Sequence, residues 1–115
     1  MTRRQEFNCR HAVTLKAYEG YLADKNGWNT PANRYRSVLK RFDGDTLATV
    51  AHYVRNVELS VGLKGLASRD QLEWSCEQLV LDFPDLFAGE LVQNAALRLV
   101  KVRAWSARQT ETQAA

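Results

Sequence analysis

The sequence predicts an all-α fold, a compact bundle of about five helices in one domain spanning residues 1–115. Three observations carry that prediction. Every strongly patterned segment repeats its apolar residues at the 3.6-residue period of a helix. The breaks between those segments hold helix-stop and helix-start residues, such as Asn26-Gly27 followed by Thr30-Pro31. No apolar run approaches the roughly 20 residues needed to cross a membrane. At 115 residues, with 45% hydrophobic and 25% charged side chains, the chain is long enough to bury a core without staples.

The first segment is ambiguous. Phe7, Cys9, His11, Val13, Leu15 and Ala17 alternate as a half-buried strand does, while Ala12, Leu15, Tyr18, Tyr21 and Leu22 fit a helical face. A helix over 13–25 is expected, capped by Thr14 and closed at Asn26-Gly27, with residues 1–6 poorly ordered. The second helix, 31–42, opens on Thr30-Pro31 and buries Tyr35, Val38, Leu39 and Phe42. Its polar face has Arg34, Arg36, Lys40 and Arg41 and no acid. Asp43-Gly44-Asp45 then breaks the chain, and a third helix over 46–61 is expected from the stripe Leu47, Val50, Ala51, Val54, Val57 and Val61.

Gly62-Leu63-Lys64-Gly65 reads as a loop. Ser68 and Gln71 match a capping box opening a fourth helix over 69–82, whose core side is Leu72, Cys76, Leu79, Val80 and Phe83. Trp74 and Leu81 point away from that side, so a homodimer formed through them is expected. The fifth helix, 85–108, is the spine. Ala88, Leu91, Val92, Ala95, Ala96, Leu99, Val100 and Val102 make its apolar arc; Asn94, Arg98, Lys101, Trp105 and Arg108 recur opposite at spacings of four and three. Residues 109–115 form a small polar tail expected to fray.

Charge is segregated along the chain. Residues 1–41 carry nine cations and three acids, residues 42–96 three and nine, and residues 97–115 four and one. Either the basic ends make a surface for a polyanion or they fold back on the acidic middle.

Catalytic and metal patterns are weak. Cys9, His11, His52 and Cys76 lack the close spacing that puts two ligands on one ion, and His52 near Cys76 would need tertiary proximity to act as a base. Asp70, Glu73 and Glu77 share a face without the histidine of a di-metal motif, and no glycine pattern fits a nucleotide loop. Hence no enzyme, metal or cofactor is expected. Two distant cysteines, and an N-terminus without an unbroken apolar block, point to a reducing cytoplasm and no secretory signal. Thr46-Leu47-Ala48-Thr49-Val50-Ala51 resembles the first helix of a helix-turn-helix over about six residues. The turn region near Arg55-Asn56 has no glycine, so no recognition residues follow from the resemblance.

The remaining candidates are the basic faces. Trp28, Arg34, Arg36, Lys40 and Arg41 on one segment, with Arg98, Lys101, Trp105 and Arg108 on the other, suit phosphate contacts and base stacking. The expected function is a non-catalytic accessory protein engaging nucleic acid or a nucleic-acid complex, with a salt slope of roughly −3 to −5 from these cations. The alternative is an inhibitor or adaptor docking on an acidic protein surface, with Trp105 and Arg108 as hot spots.

Overall fold

Thr2 begins the fold. Its hydroxyl accepts from the Gln5 backbone N–H at 3.1 Å, and the Gln5 side chain accepts from the Thr2 N–H at 2.8 Å, a complete capping box. In the computed structural model, which describes residues 1–56 and 58–114, with side chains to Glu111, this cap starts α1, Arg3–Asn26. Residues 7–17 are therefore helical, and the helix opens well before Thr14, which is buried inside it. The apparent alternation was a poor guide because Phe7, His11 and Thr14 form the inward stripe, whereas Cys9 is exposed. The first turn is also tied down: Arg3 bonds Asp85 and the Asp82 carbonyl. Gly27, at a φ of +79°, ends α1 as Asn26-Gly27 predicted.

The next helix, α2, Asn33–Arg41, begins two residues later than Thr30-Pro31 implied. Its start is covered from another element, for the Glu19 carboxylate accepts from the Ala32 N–H at 2.8 Å. A tight turn through Asp43 and Gly44, both at positive φ, leads to α3, Thr46–Val54, capped by Asp45.

The expected helix 46–61 divides here. Its member Val57 lies outside the described residues. From Val54 onward the carbonyls are claimed by the last helix: Asn94 donates to Val54, and Arg98 donates to Asn56 and Glu58 at 2.5 Å each. Ser60 then caps α4, Val61–Ser68, in the stretch expected as a loop. Gly62 and Gly65 lie inside this helix because Tyr18 and Tyr21 press against it; a Cβ on Gly65 would sit 2.5 Å from the Tyr21 ring.

The expected helix 69–82 is likewise shorter. Ser68 turns its hydroxyl back to the Lys64 and Gly65 carbonyls, so it ends α4 and caps nothing downstream. Asp70 at a φ of +56° turns the chain, a 3₁₀ turn follows at Leu72–Trp74, and Ser75 caps α5, Cys76–Asp82. After a second 3₁₀ turn at Pro84–Leu86, α6 runs from Gly89 to Ala114, starting four residues after the expected Asp85. Ala115, of the expected tail, lies outside the described residues.

The fold is thus all-α, with six α-helices and no strand among the described residues. No helix in them is long and apolar enough to cross a membrane. α6 packs most closely on α5 and also on α3 and α4. The larger core gathers Phe7, Tyr35, Val50, Val54, Leu79, Val80, Phe83 and Ala95; a smaller one gathers Leu63, Leu99 and Val102. Leu81 packs against both, and Trp74 sits half-buried with the Arg10 guanidinium 6.0 Å from its ring. Both residues that suggested a dimer therefore have intramolecular neighbours.

Candidate functional site

The two sequence-predicted basic faces meet different fates. On α2, Arg36 turns toward α1, where Glu19 accepts from its Nε at 3.0 Å and its Nη2 at 2.5 Å. That fork holds the Glu19 carboxyl below the usual carboxylate range. Arg36 is thereby a structural clamp between α1 and α2. Lys40 is exposed, and Trp28 stands 62% exposed in the connection before α2.

Arg34 and Arg41 lie seven residues apart, two turns of one helix, and so share a side of α2. That side faces α3 across a shallow open groove of about 430 Å³ lined by Asn33, Arg34, Ser37, Val38, Arg41 and Tyr53. No ion pair or hydrogen bond engages either arginine among the described residues. Tyr53 is held from behind by Tyr35, stacked at 5.1 Å, and by His52, edge-on at 5.3 Å. Burial pushes the Tyr53 phenol upward, while the positive field of Arg41 and Arg34 pulls the other way. The groove is a neutral aromatic wall between two guanidinium groups.

The α6 face is not the continuous stripe expected. Arg98 is only 2% exposed and belongs to the core side with Ala95, Leu99 and Val102. Its Nε donates to Glu77 at 2.7 Å, and Glu77 is equally buried. The expected apolar arc reaches too far round the helix: its members Ala96 and Val100 are exposed, and the inward face carries one charged side chain that α5 neutralises. Reversing the charge at Arg98 would set two carboxylates against each other in the interior, so it cannot probe a surface. Trp105 is half-buried against the smaller core, with the Lys64 ammonium 5.4 Å from its ring. Lys101 and Arg108 are exposed.

The chemistry-bearing side chains that sequence reasoning considered are scattered. Cys76 is buried beside the Tyr35 hydroxyl, 3.7 Å away, and burial pushes its thiol up to about 12, so it stays protonated. The Tyr35 hydroxyl also bonds His11 Nε2 at 2.7 Å. His52 packs instead on Phe42 and Tyr53. Among the described residues no group of three His, Cys, Asp or Glu side chains gathers.

Of the nine candidate residues, the fold brings together Arg34 and Arg41. Sequence reasoning missed Tyr53, Asn33 and Ser37. Ser37 and Asn33 were visible on the polar face of α2, but nothing local told which neighbour Tyr53 would meet.

No protein-family model matches the chain, and no curated protein or solved structure compared with it does either. Any functional reading therefore stands on the geometry alone.

Proposed function

We propose that the protein is a non-catalytic accessory module that binds single-stranded nucleic acid in the groove between α2 and α3. The observation that carries this reading is the pair Arg34 and Arg41, without acidic partners among the described residues, flanking the Tyr53 ring. Guanidinium groups match phosphate oxygens in shape and charge, and a tyrosine face accepts any base. The two arginines are about 10 Å apart along the helix axis at 1.5 Å per residue, a span that reaches more than one phosphate of a flexible strand. Lys40 adds a third cation at the margin. A shallow, open groove favours a strand over a duplex, since a duplex needs a protruding element to enter it.

With Arg36 and Arg98 engaged inside the fold, two or three phosphates are neutralised, which gives a slope of log affinity against log salt of roughly −1.5 to −2. The test is fluorescence anisotropy with a labelled oligothymidine and a duplex competitor across salt concentrations. Arg34→Ala with Arg41→Ala is expected to abolish measurable binding while the far-ultraviolet dichroism stays unchanged. Tyr53→Leu is expected to weaken binding by roughly 1 to 3 kcal/mol with the slope kept. Absence of binding to either nucleic acid at low salt rejects the reading.

A further inference from the structure

The long helix α6 has a second apolar row on the side away from the core. Leu97, Val100, Ala104 and Ala107, with the polar Gln93 one step ahead of them, recur at spacings of four and three, the seam pattern of a coiled coil, and all are exposed. Leu97 is 50% and Val100 62% exposed, the largest such pair on one helix face. Leu97 and Val100 stand at the centre, and the alanines beyond leave room for close backbone approach. Over 14 residues the row is about 21 Å long.

The charges around the row say what covers it. Lys101 flanks it on one side and Arg103 on the other, both exposed, with no acid on either flank between Gln93 and Ala107. Glu90 and Glu111 continue the row at its two ends. A second copy is a poor occupant. Paired in parallel, Glu90 and Glu111 each face their own copy and no acid answers the cationic flanks; paired antiparallel, Glu90 meets Glu111 and the cationic flanks meet each other. We infer that the outer face of α6 docks an acidic amphipathic helix of a partner protein, with the partner's apolar seam on Leu97 and Val100 and its flanking carboxylates on Lys101 and Arg103. This is a helix-against-helix contact, on an element separate from the α2–α3 groove.

The experiment uses the full chain and a fluorescein-labelled synthetic peptide of about three heptads with leucine at the seam and glutamate on the flanks. Two comparators have lysine flanks or the same composition with scrambled leucines. Anisotropy is expected to show the acidic peptide binding at least about tenfold more tightly than either comparator. Leu97→Gln with Val100→Gln is expected to weaken the acidic peptide at least about tenfold. Lys101→Glu with Arg103→Glu is expected to transfer the preference to the lysine-flanked peptide. All four positions are exposed, and unchanged dichroism and melting verify that each variant folds. Equal binding of the three peptides, or indifference to the seam variant, overturns the inference. So does a wild-type dimer in sedimentation equilibrium that the seam variant converts to monomer, because a second copy then holds the face.

Discussion

Arg98 illustrates how much one side chain's surroundings decide. Its guanidinium, 2% exposed, serves Glu77 and two backbone carbonyls, while Glu77 Oε1 has no hydrogen-bond partner among the described residues. Removing one member of a buried ion pair leaves an uncompensated charge, so Arg98→Ala is expected to cost about 3 to 5 kcal/mol. Replacing both members with apolar residues, Arg98→Met with Glu77→Leu, is expected to recover most of that loss, because neither charge is then stranded. Guanidinium denaturation of the three proteins checks this; a single variant within about 0.5 kcal/mol of wild type shows that the pair is not what holds the 55–60 connection.

At the scale of elements, one glycine inside α1 and one inside α4 divide two effects that composition confounds. Gly20 lies inside α1 with only the Arg69 guanidinium, 3.9 Å away, near a hypothetical Cβ, whereas Gly65 lies inside α4 with the Tyr21 ring at 2.5 Å. Helix propensity favours alanine by up to about 1 kcal/mol at both sites. At Gly20 nothing opposes it, and Gly20→Ala is expected to raise the melting temperature. At Gly65 the ring must move, and overpacking of roughly 1 to 3 kcal/mol outweighs the gain, so Gly65→Ala is expected to lower it. Melting temperatures of opposite sign support close packing of α1 on α4; a gain at both would place the Tyr21 ring elsewhere. The same crowding explains why the stretch 62–65 forms helix: its glycines are the concave surface on which two tyrosines lie.

Across the whole molecule, the basic ends fold back on the acidic middle. Arg3 pairs with Asp85, Arg4 with Asp45, Arg10 with Asp82 and Arg98 with Glu77. The exposed members contribute little individually, and neither Arg34 nor Arg41 joins such a pair among the described residues. Titration then shapes stability in two windows. Burial lowers the His11 imidazole from its ordinary value near 6.5, and its bonded neighbour is the Tyr35 hydroxyl, with Phe7 stacked beside it. Below pH 6.5 the unfolded chain takes up a proton that the folded chain refuses, so stability falls with falling pH. Glu19 and Asp85, held low by Arg36 and Arg3, add a second loss below their ordinary values of 4.5 and 3.8. Urea midpoints are expected to fall between pH 7.5 and 5.5 in the wild type and to stay nearly level in His11→Gln. An equal fall in both assigns the effect to another group.

What the sequence by itself determined is whatever depends on neighbours within a turn or two. The all-α class, the stop at Gly27, the break at Asp43-Gly44-Asp45 and the cation-rich, acid-free face of α2 are all local, because propensity, capping and the 3.6-residue period act over a few residues. Even the start at Thr2 was written as a capping-box pattern, Thr2 to Gln5, though the competing alternation over 7–17 hid it. What only the tertiary structure decided is which of several plausible faces turns inward and where a long period is cut. α6 has two apolar rows, and periodicity cannot choose between them; the choice fell to Glu77 on α5, which neutralises Arg98, and to the carbonyls of Val54 and Asn56, at and just past the end of α3, that Asn94 and Arg98 satisfy. Those partners lie 21 to 42 residues away in the chain. The same holds for the groove: Arg34 and Arg41 were legible, but the tyrosine between them came from a helix whose approach no local pattern encodes.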